Sequence, residues 1–218
     1  MRIKQMVPLP PSEYNSPRAA LLMPAYTMSL GDAALALPPG KSMARNILAL
    51  NAALCGAAAV AAFSAAGFAH GDIKPGNFML DGSGLVIAID FGTAQHVGRS
   101  FLESSPFGLE ALGVATVAYD ITCLGSTLWT LQEGVPLPPN STRASLLRAM
   151  AASHESPDGC PPAAAVVQYC LGHTADVSLA SLRELLVQLL DTDSGQGVLW
   201  REQDGVVDLD SVWPTSKS

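Results

Sequence analysis

Aromatic side chains are scarce in this chain, at 6%, and charged ones are few, at 14%. With so little charge and 49% apolar residues, wholesale disorder is excluded and a packed core is expected. Runs of positive charge are missing. Twelve Lys and Arg are scattered singly against 19 Asp and Glu, for a formal charge of −7. No basic stripe can neutralise phosphates, which excludes a general nucleic-acid binder. Cysteine pairing is also missing: Cys55, Cys123, Cys160 and Cys170 form no C-x-x-C and lie in apolar segments. They read as reduced, buried thiols of an intracellular protein, with neither a disulfide frame nor a zinc knuckle. The opening MRIKQMVPLPPSEYNSPR has no apolar run of signal-peptide length and is broken by prolines. It reads as an irregular lead-in, residues 1–18, and secretion is not expected.

What the chain has in abundance is alanine, 32 of its 218 residues. Much of the positive mean hydropathy (+0.28) therefore comes from a side chain that suits packed helices and adds little hydrophobic drive. Between Arg45 and Asp72 no Lys, Arg, Asp or Glu occurs. The length is adequate for a bilayer, but Ala, Gly, Ser and Asn dominate and large aliphatics are few. A buried central helix is the expectation, with no membrane span.

Residues 19–26 (AALLMPAY) read as a short strand ended by Pro24, and a turn or helix is expected over Ser29–Ala36. The long helix is expected from Ser42 to Ala66, with Gly67 as its stop. Short strands over residues 78–80 and 85–90, joined by Asp81-Gly82-Ser83-Gly84, give a hairpin signal. A second apolar helix is expected near Thr116–Leu131, ended by Gly134, and another over 141–153. Residues 157–162 read as broken by Pro and Gly. Ser181-Leu-Arg-Glu184 has capping-box spacing and opens an apolar-periodic helix. From Asp191 the tail is acidic and loosely held. The fold class is α+β, mainly helical with one small β region.

Chemistry concentrates in His70-Gly-Asp72-Ile-Lys74-Pro-Gly-Asn77 and, eighteen residues after Asp72, Asp90-Phe91-Gly92. Together these resemble the catalytic loop and metal-binding turn of eukaryotic protein kinases, in which Lys follows the loop Asp by two residues, Asn by five, and Asp-Phe-Gly lies across a hairpin. The resemblance implies a kinase-like C-terminal lobe over residues 19–190, and ATP with Mg²⁺ as cofactors. It implies Asp72 as the base that orients and deprotonates an acceptor hydroxyl, and Lys74 as a point charge on the transferred phosphoryl group. It implies Asn77 and Asp90 as hard oxygen ligands to Mg²⁺.

Further along, Ser105-Pro-Phe-Gly-Leu-Glu110 is similar to the end of the family's activation segment. Asp120-Ile-Thr-Cys-Leu-Gly125 is similar to the start of its buried helix, whose Asp accepts hydrogen bonds from the catalytic-loop backbone. Upstream, LLMPAYTMSLGD is similar to the family's hinge. Pro24 has no N–H, so adenine is expected to meet the backbone at Ala25 or Tyr26.

Two departures stand out. Gly71 replaces the family's Arg, so switching by an Arg–phosphate pair on the activation segment is not expected. The small lobe is largely absent: no G-x-G-x-x-G precedes the hinge, and only Arg2-Ile3-Lys4 imitates the nucleotide-lysine motif. The chain therefore reads as truncated. Pro38-Pro-Gly40-Lys41-Ser42 ends like a P-loop, but Leu35 stands where the first glycine belongs. The His-Gly-Asp form, with Glu103-Ser-Ser-x-Phe107, is similar to Bub-type mitotic-checkpoint kinases, which implies checkpoint proteins as partners. The expected function is ATP-dependent protein serine/threonine kinase-like transfer to a protein substrate. The alternative is a weak or inactive pseudokinase that serves as a scaffold for a protein partner. Either would work inside the cell, in cytoplasm or nucleus.

Overall fold

A computed structural model describes residues 5–9, 18–22, 25–38, 40, 42–80, 86–103, 105–109, 113–153, 162–172 and 178–191. In chain order, the strands β1 (Gln5–Leu9), β2 (Arg18–Leu22) and β3 (Met28–Ser29) lead into the helices α1 (Leu30–Ala36) and α2 (Met43–Ala65). Then come β4 (Phe68–Ala69), β5 (Phe78–Leu80), β6 (Val86–Ala88) and β7 (Gln95–His96). Four helices close the described chain: α3 (Val117–Glu133), α4 (Arg143–Ser153), α5 (Pro162–Gly172) and α6 (Leu179–Asp191). The class is α+β. Three small antiparallel sheets pair β1 with β2, β4 with β7, and β5 with both β3 and β6.

Residues 5–9 depart from the irregular lead-in expected of them. They form a strand that pairs Gln5 with Leu22 and Leu9 with Arg18. Pro8 is accommodated because a two-stranded ribbon turns alternate N–H groups away from the partner, where proline costs no ladder bond. The hairpin residues Asp81–Gly84, Lys4, Cys160, Glu110 and the tail beyond Asp191 lie outside the described residues. Asp191 itself, expected to start the tail, is the last residue of α6.

α2 is the helix about which the rest is built. The Ser42 side chain accepts the Arg45 N–H, and Ala66 with Gly67 (φ +80°) ends the helix where the sequence places its stop. Alanines and glycine let its neighbours approach closely. Gly56 meets the Leu124 side chain of α3, and Gly125 of α3 meets Cys170 and Leu171 of α5. Among the described residues α2 alone is long and apolar enough to cross a membrane, and half of its most apolar window is buried. Here it is a core helix, beside Leu124, Leu128, Val166 and Leu186 of the three helices around it.

α5 was not anticipated. Pro162 reads as a breaker in sequence but stands at the first helical position, which suits proline's fixed φ. The side-chain oxygen of Asn46, on α2, accepts the Ala163 N–H at 3.1 Å. α6 starts before the expected Ser181 because Ser178 Oγ accepts the Ser181 N–H. The Tyr169 hydroxyl of α5 further holds Ser178, donating to its carbonyl and accepting from its N–H. β6 ends at Ala88, short of residue 90, because Asp90 takes φ +61° and turns out of the strand.

Arg45 is 1% exposed, and carbonyl oxygens are the partners of its guanidinium. Nε donates to Pro38 O at 2.9 Å, one terminal nitrogen to Leu131 O at 3.2 Å, and the other to Ala34 O and Leu37 O at 2.9 Å each. Thus one buried cation satisfies carbonyls at the C-terminal ends of both α1 and α3, where the helix dipole is negative. Gly134, at the α3 C-terminus with φ +71°, leaves the space that the guanidinium fills. Arg45→Met is expected to lower the unfolding free energy by about 1–3 kcal/mol, the usual cost of leaving one buried carbonyl, here that of Leu131, unmet. Urea denaturation measures this, and an unchanged midpoint would show that the carbonyls are satisfied without Arg45.

Candidate active site

The bend between β4 and β5 carries the densest polar network among the described residues. Asp72, Asn77 and His70 are all nearly inaccessible, at 9%, 6% and 1% exposure. Asn77 Nδ2 donates to the Asp72 carbonyl at 2.8 Å and to Asp72 Oδ2 at 3.1 Å. Lys74 Nζ reaches the same Oδ2 at 2.5 Å. Asp72 is therefore fixed by an amide and an ammonium from its own loop. Lys74 remains about a third exposed (38%), so the pair is open to solvent on the lysine side.

Asp90 is brought alongside by the β5–β6 ladder. Phe78 pairs with Ala88, and the Ile89 N–H donates to Asn77 O at 2.9 Å, which leaves Asp90 as the next residue out. Its carboxylate is exposed, and Oδ1 accepts the Gly92 N–H at 3.3 Å. The positive φ of Asp90 is uncommon for a residue other than glycine, and Asp tolerates it better than most. His70 links the two acids. Burial lowers its pKa from 6.5, while the nearby charges of Asp72 and Asp90 act the other way. The neutral imidazole accepts the Asp72 N–H at Nδ1, at 3.4 Å. Phe63 and Phe91 pack on the ring with centroids at 5.2 and 5.4 Å and meet each other at 5.0 Å.

Beneath the bend lies Asp120, 1% exposed, near the start of α3. Its Oδ2 accepts the His70 N–H at 2.7 Å and its Oδ1 the Gly71 N–H at 2.9 Å. This is the backbone anchor that the resemblance implies for Asp120. Seven residues on, and so on the same helix face, Thr127 Oγ1 donates to Ile73 O at 3.1 Å. Thr93 Oγ1 donates to His70 O at 3.0 Å from the other side. Neither threonine was singled out in sequence, although the seven-residue step from Asp120 was a usable signal for Thr127.

Gly71 now has a local reason. Its φ is +83°, and a Cβ there would stand 2.5 Å from a ring carbon of Phe101. An arginine would have to displace that ring.

Ala25 and Tyr26 precede β3. The Thr27 N–H donates to Leu80 O at 2.8 Å, so these two residues lie at the far end of β5 from Asn77. Ala25 is exposed. The buried Tyr26 hydroxyl has no hydrogen-bond partner among the described residues. Asp72, Lys74 and Asn77 form one hydrogen-bonded cluster with Asp90 one residue beyond the Ile89–Asn77 backbone bond, and Ala25 and Tyr26 are separated from it by the length of β5. Three residues of strand at about 3.3 Å each put that separation near 10 Å.

Asn77 and Asp90 fit a cation with hard-ligand preferences in donor type. Asn77 turns its NH₂ toward Asp72 and its amide oxygen the other way, and Asp90 exposes a carboxylate. No group of three or more His, Cys, Asp or Glu that could hold a metal occurs among the described residues. A metal here would therefore keep several waters, as Mg²⁺ does. The three described cysteines take no part. Burial pushes the thiols of Cys55 and Cys170 up to about 12 and that of Cys123 well above the usual range, so they stay protonated and inert.

No protein-family model matches the chain, and no curated protein matches it.

Burial pushes the Asp120 pKa up from 3.8 to about 6, against the two N–H donors that lower it. A folded-state pKa above the unfolded one gives stability that is complete at low pH and is lost as pH rises through the folded value. The advantage of wild type over Asp120→Asn is therefore expected to shrink between about pH 4 and about pH 6 and to stay level above. Thermal melts of both proteins across that range test it. A difference that does not change with pH would mean that Asp120 titrates alike in both states.

Proposed function

We propose that this chain is a protein serine/threonine kinase-like phosphotransferase that uses ATP and Mg²⁺. The observation that carries the reading is the convergence of Asp72, Lys74 and Asn77 in one hydrogen-bonded bend, with Asp90 delivered beside it by the β5–β6 pairing. The spacing that resembles the kinase catalytic loop is thus also a spatial cluster. Ala25 and Tyr26, one strand length away, lie at a distance that suits the purine end of a nucleotide whose phosphates reach the bend.

In this reading the acceptor hydroxyl sits against the Asp72 carboxylate, which orients it and accepts its proton. The hydroxyl oxygen forms a bond to the γ-phosphorus, the bond from that phosphorus to the β–γ bridging oxygen breaks, and ADP leaves. Lys74 balances the charge of the equatorial oxygens while paired with Asp72. Asn77 and Asp90 would hold Mg²⁺, which supplies charge neutralisation between the β- and γ-phosphates when bound. His70 stays neutral and serves as an aromatic spacer between Phe63 and Phe91, with no part in proton transfer. The protein would act inside the cell, in cytoplasm or nucleus, on a hydroxyl of another protein. If the similarity to Bub-type kinases extends to partners, these include checkpoint proteins.

A second reading is favoured by Asp72 Oδ2, which Lys74 Nζ and Asn77 Nδ2 already occupy. In it the same residues serve a weak or inactive pseudokinase that acts as a scaffold for a protein partner.

Thermal shift with ATP, in the presence and absence of Mg²⁺, separates the readings. A magnesium-dependent rise in melting temperature is expected, and Asp90→Asn is expected to abolish it. Asp72→Asn should keep the shift and lower transfer to casein by roughly 10²–10⁴-fold, the usual contribution of a positioned base. A magnesium-dependent shift without transfer by the wild type would favour the pseudokinase. No shift at all would remove nucleotide from the account.

A further inference from the structure

Residues 93–103 and 105–109 run from the bend back along α3, and the contacts that hold them are backbone pairs and aromatic packing. At the near end β7 pairs with β4, and the Val97 N–H donates to Gly67 O. In the middle, Gly98 and Phe101 donate N–H groups to Ala115 O and Gly113 O, and Ala115 N–H returns to Arg99 O at 2.7 Å. At the far end the Ser105 N–H donates to the Tyr119 hydroxyl at 3.0 Å.

Two aromatic rings join these parts. Phe101 is 3% exposed and lies on Gly71, one residue before Asp72. Its ring meets that of Tyr119 at 4.8 Å. The Tyr119 ring in turn fills the space where side chains at Gly108 and Gly113 would stand. Three glycines have therefore made room for two rings, and Tyr119 is the residue before the anchor Asp120. The ring pair touches the bend, the returning segment and α3 at once. Large rings seated against side-chain-free backbone make a close, dry contact with no charge to screen.

We propose that Phe101 and Tyr119 are positioning residues. Together they form an uncharged aromatic lock that fixes residues 97–103 and 105–109 on α3 and, through Gly71, fixes the direction of Asp72. The lock replaces a charged latch: its closure needs neither an ionised partner nor a phosphate group. Its consequence for turnover rests on the phosphoryl-transfer reading, whereas the lock itself stands on the packing alone.

Arg99 makes the lock measurable. It is exposed, yet its peptide bond is flanked by the hydrogen bonds to His96 O and from Ala115, so trypsin can cut there only after local opening. The whole chain should be compared with Phe101→Leu, Tyr119→Phe and, as a control, Leu102→Ala, whose side chain is 90% exposed. Cleavage after Arg99 is expected to rise about tenfold in Phe101→Leu, the factor given by about 1.4 kcal/mol of lost local stability. A smaller rise is expected in Tyr119→Phe, which keeps the ring and loses the bond to Ser105. Leu102→Ala should cut at the wild-type rate. The far-UV circular dichroism melt should stay within a few degrees for all three. Ring-proton signals of His70 in the nuclear magnetic resonance spectrum should move in the two lock variants and not in the control.

Cleavage unchanged in both lock variants would overturn the proposal. So would a rise that merely follows a global loss of helix, or faster cleavage with the His70 signals unmoved. Prior phosphatase treatment should leave the wild-type cleavage rate unchanged, and a large increase would point to a phosphate latch instead. With casein as acceptor, Tyr119→Phe should raise KM and lower kcat together, whereas a purely structural loss would lower only the active fraction and leave KM as it was. If the wild type binds no Mg·ATP, the functional reading fails, and the cleavage and His70 readouts still decide the lock.

Discussion

Two consecutive backbone N–H groups, those of His70 and Gly71, converge on one carboxylate, and the arrangement of the whole bend follows from that contact. The backbone turns at His70 so that both N–H groups face α3, and the positive φ of Gly71 then carries the chain on toward Asp72. Asp120 can then satisfy both donors with its two oxygens while it is almost wholly buried. Burying a carboxylate is costly unless its hydrogen bonds are complete, so the contact ties the position of α3 to the conformation of the loop above it. Asp72 and its partners inherit their places from it. The neutral state of His70 has the same origin, since the bend is dry enough for burial to outweigh two nearby acids.

Above this anchor the cluster is built from short-range pieces of chain. Asp72, Lys74 and Asn77 lie within six residues, and one three-residue ladder adds Asp90. Local closure of this kind costs little chain entropy, which suits a cluster supported by so few strands. The helices then act as the rigid mount. Thr127 holds Ile73 from α3, and Phe63 packs on His70 from the last turns of α2.

Much of this was legible in sequence where the signal was local. The caps of α2 and α3, Ser42 and Thr116, and the glycines beyond their C-termini, Gly67 and Gly134, marked both helices nearly to the residue. The grouping of Asp72, Lys74 and Asn77 was legible because their spacing is fixed within a single bend. What escaped was set by tertiary contact. Pro162 looked like a break because its role depends on Asn46, which caps the N–H of Ala163 from 117 positions before it. The start of α6 shifted because Tyr169 claims Ser178. Gly71 stood out in sequence only as a departure from an arginine, and its juxtaposition with Phe101 is what explains the glycine. Arg45 gave no sign in sequence of being a buried cation, because its partners are carbonyls, which every residue carries.

That last feature has an effect on how the molecule meets acid. The four carbonyls that the Arg45 guanidinium joins are main-chain oxygens, which take up no proton as the pH falls. The hydrogen bonds where α1, α2 and α3 meet are accordingly received by groups that do not titrate. The bend at the opposite end of α2 and α3 holds His70 and Asp120, both of which change charge near neutrality or below. The same pair of helices is thus tied at one end through main-chain oxygens and at the other through a bend whose side chains titrate.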